Sequence, residues 1–193
     1  AGYLPFGRGR SPLNWSIILG DTRFNLNLFR YDEKADSPNV FATEMFSITP
    51  QDDIRTAQYK NMICSKNLIK KLLAAYKEGN ISVRTDSKDF DSWYNKRTAA
   101  DGKIDFHGRT REIYNLIRGV AAPFPGAFAY VEEEKVTVWE AQPFDEMIDF
   151  SAYAPGEVID VFDNHPIVRT VDGSLLIKKY ESERELQAGD VLS

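Results

Sequence analysis

The sequence predicts two successive structural classes, an α/β segment followed by a small β-barrel domain. Helix and strand patterns alternate over residues 11–79, whereas the last third contains about five short strand patterns separated by turns. Charge changes along the chain as well. Residues 119–193 hold fifteen acidic and five basic side chains, and residues 1–118 hold fourteen acidic and nineteen basic ones. A chain of 193 residues is long enough to form one large or two small domains.

Four elements and a linker are predicted in the first segment. A Ser-Pro pair, favoured at the N-cap and the first helical position, begins a short helix over residues 11–19. Strict alternation predicts a half-buried strand over residues 24–28, and a second strand follows a polar turn, over residues 40–48. A Thr-Pro pair begins a long helix over residues 49–78 with one apolar face. Ser, Asp, Lys and Arg dominate residues 81–108, which we interpret as a crossover between domains.

The second segment begins with a helix and continues as strands. The helix is predicted over residues 110–121 and is ended by the proline-rich run that follows it. An Asp-Gly pair at residue 172 is a strong hairpin signal between the last two strands. The predicted strands cover residues 127–131, 136–141, 158–162, 167–171 and 174–180.

Composition excludes several classes of protein. No apolar run approaches the length of a membrane span, and no signal peptide is visible. The single cysteine, Cys64, excludes a disulfide framework, and it is interpreted as a core residue of the long helix. His107 and His165 have no Cys or His partner at ligand spacing, so no metal site is predicted. We therefore expect a cytoplasmic protein without a resident metal.

Two places could carry chemistry. Arg8 and Arg10 stand directly before a predicted helix, and the glycines beside them allow a ligand to approach the backbone closely. Guanidinium groups match phosphate geometry, so the segment is either a phosphate site or a solvated basic loop. Asp36 lies in a turn between two strands, where catalytic groups are often mounted. From the residues alone, Asp32 and Glu33 are equally plausible, and so is a solvated turn.

Three stretches together resemble the folate-dependent formyltransferase family. They are the run LPFGRGRSPLNW over residues 4–15, the turn over residues 30–41 with its Ala-Asp-Ser sequence, and a series of short motifs over residues 96–128, KRT, GKIDF, NLIR and PFPGAF. The resemblance implies the C-terminal half of a Rossmann-like formyltransferase domain over residues 1–85. It further implies a crossover linker over residues 86–109 and an OB-like β-barrel over residues 110–193.

The resemblance also implies a chemistry. Members of this family transfer a formyl group from formyl-tetrahydrofolate to an amine, using an Asn-x-His pair and an aspartate. The aspartate carries over to Asp36, although Pro38 and Asn39 depart from the family's Asp-x-Gly-Asp pattern. The family's His would fall immediately before Ala1, and its Asn earlier still. We therefore expect that the chain begins inside a larger domain, and that the preceding segment of the same protein is its partner.

The branch of the family follows from two features. Arg10 is usually replaced by a small apolar residue in tRNA formyltransferases, whereas the Arg-Gly-Arg-x-Pro-Leu-Asn-Trp form resembles nucleotide-sugar enzymes such as UDP-aminoarabinose formyltransferase. The acidic second segment is a poor partner for nucleic acid. The resemblance thus implies a nucleotide-linked amino sugar as substrate, for surface polysaccharide, lipopolysaccharide or lipid A. Arg8 and Arg10 are candidates for its phosphates, and Tyr94, Lys96 and Arg97 for its nucleotide.

Two alternatives remain. The first is methionyl-tRNA formyltransferase, against which the acidic second segment argues. The second is a non-catalytic piece that binds a sugar nucleotide without turning it over. A homo-oligomer is compatible with either reading.

Overall fold

The computed structural model describes Leu4 and residues 6–30, 39–85 and 92–193. The chain divides into two compact units. Unit 1 comprises Ala1–Ile17 and Asp21–Arg97, and unit 2 comprises Ile18–Gly20 and Thr98–Ser193. The division after Arg97 falls inside residues 86–109, which the sequence analysis interprets as a linker.

The described residues of unit 1 form two small sheets and two helices. Strands β2 (Arg23–Phe29) and β3 (Asn39–Ser47) form an antiparallel hairpin, and β4 (Arg84–Thr85) pairs with the start of β3. The second sheet has two strands only, β1 (Arg8–Gly9) and β5 (Trp93–Tyr94), which run parallel. The helices are α1 (Pro12–Ile18) and α2 (Ile54–Lys77).

Helix α2 covers the β2–β3 hairpin with one face. Its buried residues Ile54, Ala57, Cys64 and Leu68 recur at helical spacing, and the helix packs against both strands. Cys64 is therefore a core residue, as its position in the apolar pattern predicts.

The predicted start of α2 was wrong by about one turn. Asp53 is the N-cap, since its carboxylate accepts from the backbone N–H of Thr56 at 2.8 Å. Thr49 and Asp52 close a separate turn ahead of the helix, with the Thr49 N–H donating to Asp52 Oδ2 at 2.7 Å. The signals around Thr49 were those of a capped turn, and the helix begins only at Ile54.

Unit 2 is one antiparallel sheet covered by a helix. A short 3-10 helix (Ala99–Gly102) precedes α3 (Thr110–Val120), which agrees with the predicted helix. The sheet has the order β6-β7-β10-β9-β8. Its strands are β6 (Ala127–Val131), β7 (Glu134–Asp145), β8 (Val158–Phe162), β9 (His165–Arg169) and β10 (Ser174–Glu181).

All five predicted strands of unit 2 are present, but β9 begins and ends two residues earlier than the predicted 167–171, and β7 is longer than expected. Its residues up to Asp145 pair with β10, which extends the strand beyond the part that faces β6. On the inner side of the sheet, α3 contributes Ile113, Ile117 and Val120 to a core shared with the strands. Each of these three side chains is buried, so hydrophobic burial stabilises the contact between helix and sheet.

The last residues of the sequence hydrogen-bond to both outer strands of this sheet. Ser193 exchanges backbone hydrogen bonds with Tyr130 of β6, at 2.8 and 2.9 Å. On the other side, Val158 of β8 donates to the Asp190 carbonyl at 2.8 Å, and Leu192 donates to the Gly156 carbonyl at 2.9 Å. The two outer strands are therefore joined through residues 190–193, which leaves fewer of their polar backbone groups without a partner.

The described residues include neither a helix suited to span a membrane nor a cluster of metal-ligating side chains. No helix in that part of the chain has the length and apolar character needed to cross a membrane. Within the same residues, no group of three or more His, Cys, Asp or Glu side chains is arranged to hold a metal ion.

Candidate ligand-binding site at the β1–β5 pair

The β1–β5 pair joins two of the segments selected from the sequence. Arg8 aligns with Trp93, and Gly9 with Tyr94. The Arg8 N–H donates to the Ser92 carbonyl at 2.9 Å, and the Arg10 N–H donates to the Tyr94 carbonyl at 3.2 Å. The N–H of Gly7 donates to the Ser92 hydroxyl at 2.8 Å. The basic segment and the crossover segment are thus held side by side.

Gly9 makes this close approach possible. Its φ is +97°, in the region that favours glycine, and a Cβ placed there would lie 2.4 Å from the Tyr94 carbonyl oxygen. The obstructing atom belongs to the backbone of the paired strand, so it cannot move aside without opening the pair. The close approach of β1 to β5 therefore requires a glycine between the two arginines.

A stack of three side chains supports the Tyr94 side of the pair. The Tyr94 ring stacks on Trp15 of α1 with 5.7 Å between ring centroids and 12° between planes. The Arg97 guanidinium lies 5.2 Å from the Trp15 ring centroid. The Trp15 indole N–H donates to the Asn95 carbonyl at 3.1 Å, which fixes α1 to this segment. Burial raises the pKa of the Tyr94 hydroxyl, and the nearby Asp21 carboxylate raises it further.

The other side of the pair is partly exposed, because Trp93 is exposed while Arg8 is half-buried. Trp93 is 54% exposed, and the Arg8 guanidinium carbon lies 5.6 Å from its ring centroid. Successive side chains of a strand point to opposite faces, so Trp93 and Tyr94 belong to different sides. The exposed side thus combines a large aromatic surface with a guanidinium group, while Arg10, also exposed, follows Arg8 along the chain.

A cleft adjoins this region within unit 1. It has a volume of about 140 Å³, with residues 6–9 and Pro12 on one wall. The opposite wall is formed by β2 residues, among them Phe24, Asn25 and Asn27. The cleft offers both apolar surface and amide groups next to Arg8, which is suitable for a polar ligand with an anionic group.

The structure places all five predicted substrate-binding residues in this pair or within three residues of it. Arg8, Arg10, Tyr94 and Arg97 lie in or directly beside β1 and β5, and the exposed Lys96 lies between the last two. The predicted catalytic Asp36 lies outside the described residues. The sequence analysis missed Trp93 and did not assign Trp15 to the site. Trp93 could have been found only as an aromatic residue next to Tyr94, whereas Trp15 was already part of the Arg-Gly-Arg-x-Pro-Leu-Asn-Trp run.

Residues 96–193 match the family model described as formyl transferase, C-terminal domain. The match spans half of the chain and includes nearly all of unit 2. The chain belongs to the formyl transferase family. The family predicted from the sequence motifs is therefore confirmed, and unit 2 has the fold of this family's C-terminal domain.

Solved structures support the fold over a longer part of the chain. HypX from Aquifex aeolicus, in complex with tetrahydrofolic acid, matches with a TM-score of 0.71 and 19% identity, covering 92% of this formyl transferase chain and 30% of HypX. An N-formyltransferase from Helicobacter canadensis, in complex with folinic acid and dTDP-3-aminofucose, matches with a TM-score of 0.70 and 16% identity, covering 97% of this chain and 63% of the other.

Methionyl-tRNA formyltransferase from Clostridium thermocellum is also similar. Its TM-score is 0.60 at 18% identity, and the match covers 75% of this chain and 61% of the other. At such identities the likeness establishes the fold and leaves the substrate open. This formyl transferase chain spans from about a third to just under two thirds of the length of these three structures.

Proposed function

We propose that this protein transfers a formyl group from formyl-tetrahydrofolate to the amine of a nucleotide-linked amino sugar. The observation that carries the proposal is the β1–β5 pair. It brings the two arginines of the basic segment next to the aromatic and basic side chains of the crossover segment. A ligand with a diphosphate and a planar base matches that combination of groups.

The two arginines are assigned to the diphosphate. Guanidinium groups are planar, remain charged at any physiological pH, and bind phosphate oxygens in pairs. α1 has only seven residues, so we attribute the positive charge of the region to Arg8 and Arg10 and not to the helix. Tyr94, Lys96 and Arg97 are assigned to the nucleotide half of the site, because their segment is hydrogen-bonded alongside Arg8 and Arg10.

Formyl-tetrahydrofolate is proposed as the donor. Both HypX and the Helicobacter canadensis enzyme were solved with a tetrahydrofolate compound. In the proposed reaction the sugar amine attacks the formyl carbon, a new C–N bond forms, and the bond between that carbon and the folate nitrogen breaks. The amine proton is lost, and the folate nitrogen gains a proton. Asp36 is assigned to orient the histidine that moves the proton, on the strength of the family motif.

Two further assignments belong to the same proposal. We take unit 2 to be an OB-like barrel, because residues 190–193 hydrogen-bond to strands at both edges of its sheet. The proposed setting is the cytoplasm, where the product would be used for surface polysaccharide, lipopolysaccharide or lipid A.

The acidic character of residues 119–193 disfavours a tRNA substrate. A tRNA-binding domain gains affinity by neutralising phosphates, which a segment with fifteen acidic and five basic side chains opposes. A titration with initiator tRNA at two salt concentrations separates the two proposals. Saturable binding that weakens steeply with salt would favour methionyl-tRNA formyltransferase over the sugar enzyme.

The first test is calorimetric titration of this chain with UDP-, dTDP- and GDP-linked amino sugars. Saturable binding of one of them is expected, and Arg10→Ala should weaken it. If none binds to the full-length protein, the substrate assignment is wrong. If one binds but no formyl transfer follows in the full-length protein with formyl-tetrahydrofolate, the non-catalytic alternative is correct.

The catalytic assignment is tested by Asp36→Asn in the full-length protein. Formyl transfer should fall by at least a hundredfold, since general acid–base catalysis contributes about 10²–10⁴-fold, while sugar-nucleotide affinity stays within about twofold. Asp32→Asn, four positions earlier in the sequence, is the matched control and should retain activity. A fully active Asp36→Asn enzyme would remove Asp36 from the mechanism.

A further inference from the structure

The two sides of the β1–β5 pair have different surroundings. Tyr94 is half-buried, and it shares the stack with Trp15 and Arg97. Trp93, its neighbour in the strand, is 54% exposed. The side chains of the crossover segment are therefore divided between a supporting face and an exposed face.

The exposed face holds its aromatic ring in a defined place. Trp93 is paired with Arg8 by the strand register, and the Arg8 guanidinium lies 5.6 Å from the ring centroid. Trp93 also lies directly beside Tyr94, whose ring is fixed by stacking on Trp15. The contact with Arg8 restricts the indole and the Tyr94 stack anchors the strand that carries it, so the ring loses little freedom when a ligand stacks on it.

We propose that Trp93 is the side chain on which the nucleobase of the substrate stacks, and that Tyr94, Trp15 and Arg97 position it. The inference rests on the proposed function, because it takes the ligand to be a nucleoside diphosphate sugar. The Arg8 guanidinium lies over the Trp93 ring, so the base takes the other face of the indole, and the diphosphate extends towards the exposed Arg10. Tyr94 and Arg97 act through the stack, as positioning residues for the ring and for β1.

The proposal predicts which part of the ligand each residue recognises. Every nucleobase offers a π-face, so stacking gives affinity with little discrimination between bases. Loss of the indole should therefore lower the affinity for uridine, thymidine and guanosine diphosphates to a similar extent. Loss of a guanidinium should instead lower the affinity for any ligand that carries the diphosphate, with or without a base.

The test uses dTDP and inorganic pyrophosphate as probes in calorimetric titrations of the full chain. Trp93→Ala should raise the dissociation constant of dTDP at least tenfold, as expected for the loss of one base–aromatic contact. Pyrophosphate affinity should stay within twofold of the wild type. Trp93→Phe should recover most of the dTDP affinity, because it restores an aromatic surface.

Two further variants separate contact from positioning. Trp15→Leu removes the ring on which Tyr94 stacks. It should lower the affinities for dTDP and pyrophosphate together, because β5 is then no longer anchored and cannot hold β1 in place. Tyr76→Ala removes an aromatic side chain of α2 that is 71% exposed, and as the matched control it should change neither affinity.

The outcomes distinguish this inference from the proposed function. If the wild type binds dTDP and Trp93→Ala binds it equally well, the stacking role is wrong and the substrate class stands. The role is equally wrong if Trp93→Ala weakens pyrophosphate as much as dTDP, or if Trp93→Phe restores nothing. If the wild type binds no nucleoside diphosphate and no nucleotide-linked sugar, the proposed function fails and the inference fails with it.

Discussion

Replacing Gly9 by alanine tests whether the β1–β5 pair depends on the close approach of two backbones. With φ at +97°, a side chain at this position is strained by about 1–2 kcal/mol before any contact is considered. The added Cβ would lie 2.4 Å from the Tyr94 carbonyl oxygen. That distance is shorter than any real contact of a Cβ atom, so β1 must move away from β5.

The movement removes the hydrogen bonds from Arg8 to Ser92 and from Arg10 to Tyr94. Each backbone hydrogen bond contributes about 1 kcal/mol net. Together with the strain, Gly9→Ala should destabilise unit 1 by about 3–4 kcal/mol. Ligand affinity should fall in parallel, because the two halves of the proposed site are no longer held together.

The assay is urea unfolding followed by tryptophan fluorescence. A Trp139→Phe background removes the tryptophan of unit 2, which leaves Trp15 and Trp93 to report on unit 1. Gly79→Ala is the matched control, since Gly79 has a φ of +68° but no atom within 4 Å of the added Cβ. The control measures the cost of the backbone conformation alone. If Gly9→Ala loses no more stability than Gly79→Ala, the added Cβ does not destabilise the β1–β5 pair and the argument from the close approach is wrong.

Three further predictions follow from the structure. Burial raises the pKa of the Asp52 carboxyl, but hydrogen bonds from Lys60 and Thr49 outweigh it, and the net pKa lies below the ordinary 3.8. Asp52→Asn should therefore cost about 2 kcal/mol at pH 7, as for a hydrogen bond to a charged group, and the difference should shrink as pH falls below 3.8. An equal difference at pH 7 and pH 3 in urea unfolding would contradict this. Asp172 accepts from the N–H and the hydroxyl of Thr110 at the first residue of α3, at 2.7 and 2.9 Å. Asp172→Ala should lower the melting temperature of unit 2 in calorimetry, by an amount equivalent to about 1–2 kcal/mol, whereas an unchanged melting temperature would show that α3 needs no such cap. Arg10→Ala should weaken sugar-nucleotide binding at least tenfold and folate binding less than twofold in parallel titrations; equal losses would contradict the phosphate assignment.

The secondary structure of unit 2 could be predicted because its patterns are local. Alternating burial over residues 127–131 reflects a strand with one buried face, and the Asp-Gly pair at residue 172 lies in the turn between β9 and β10. The helix over Thr110–Val120 was equally clear from its apolar spacing and the prolines after it. Each of these signals lies within a few residues of the structure it specifies.

The β1–β5 pair could not be predicted for the opposite reason. Each strand has two residues, too few to show a period, and the partners are separated by most of unit 1. Residues 81–108 therefore resembled a linker, although they contain β4 and β5. The family motifs led to Tyr94, Lys96 and Arg97 through position alone. Which of these side chains faces a ligand depends on strand register, and register across such a distance leaves no trace in the sequence.

The short parallel pair also affects the order in which the chain folds. The β2–β3 hairpin and α2 need only neighbouring residues, whereas β1 and β5 must close a loop of more than eighty residues for two aligned residue pairs. Such a contact forms late and opens readily, ahead of global unfolding. The amide hydrogens of Arg8 and Arg10, bonded to Ser92 and Tyr94, should accordingly exchange with solvent deuterium sooner than those of α2. A ligand that bridges the pair would slow that exchange, so two backbone amides would report both the assembly of the site and its occupancy.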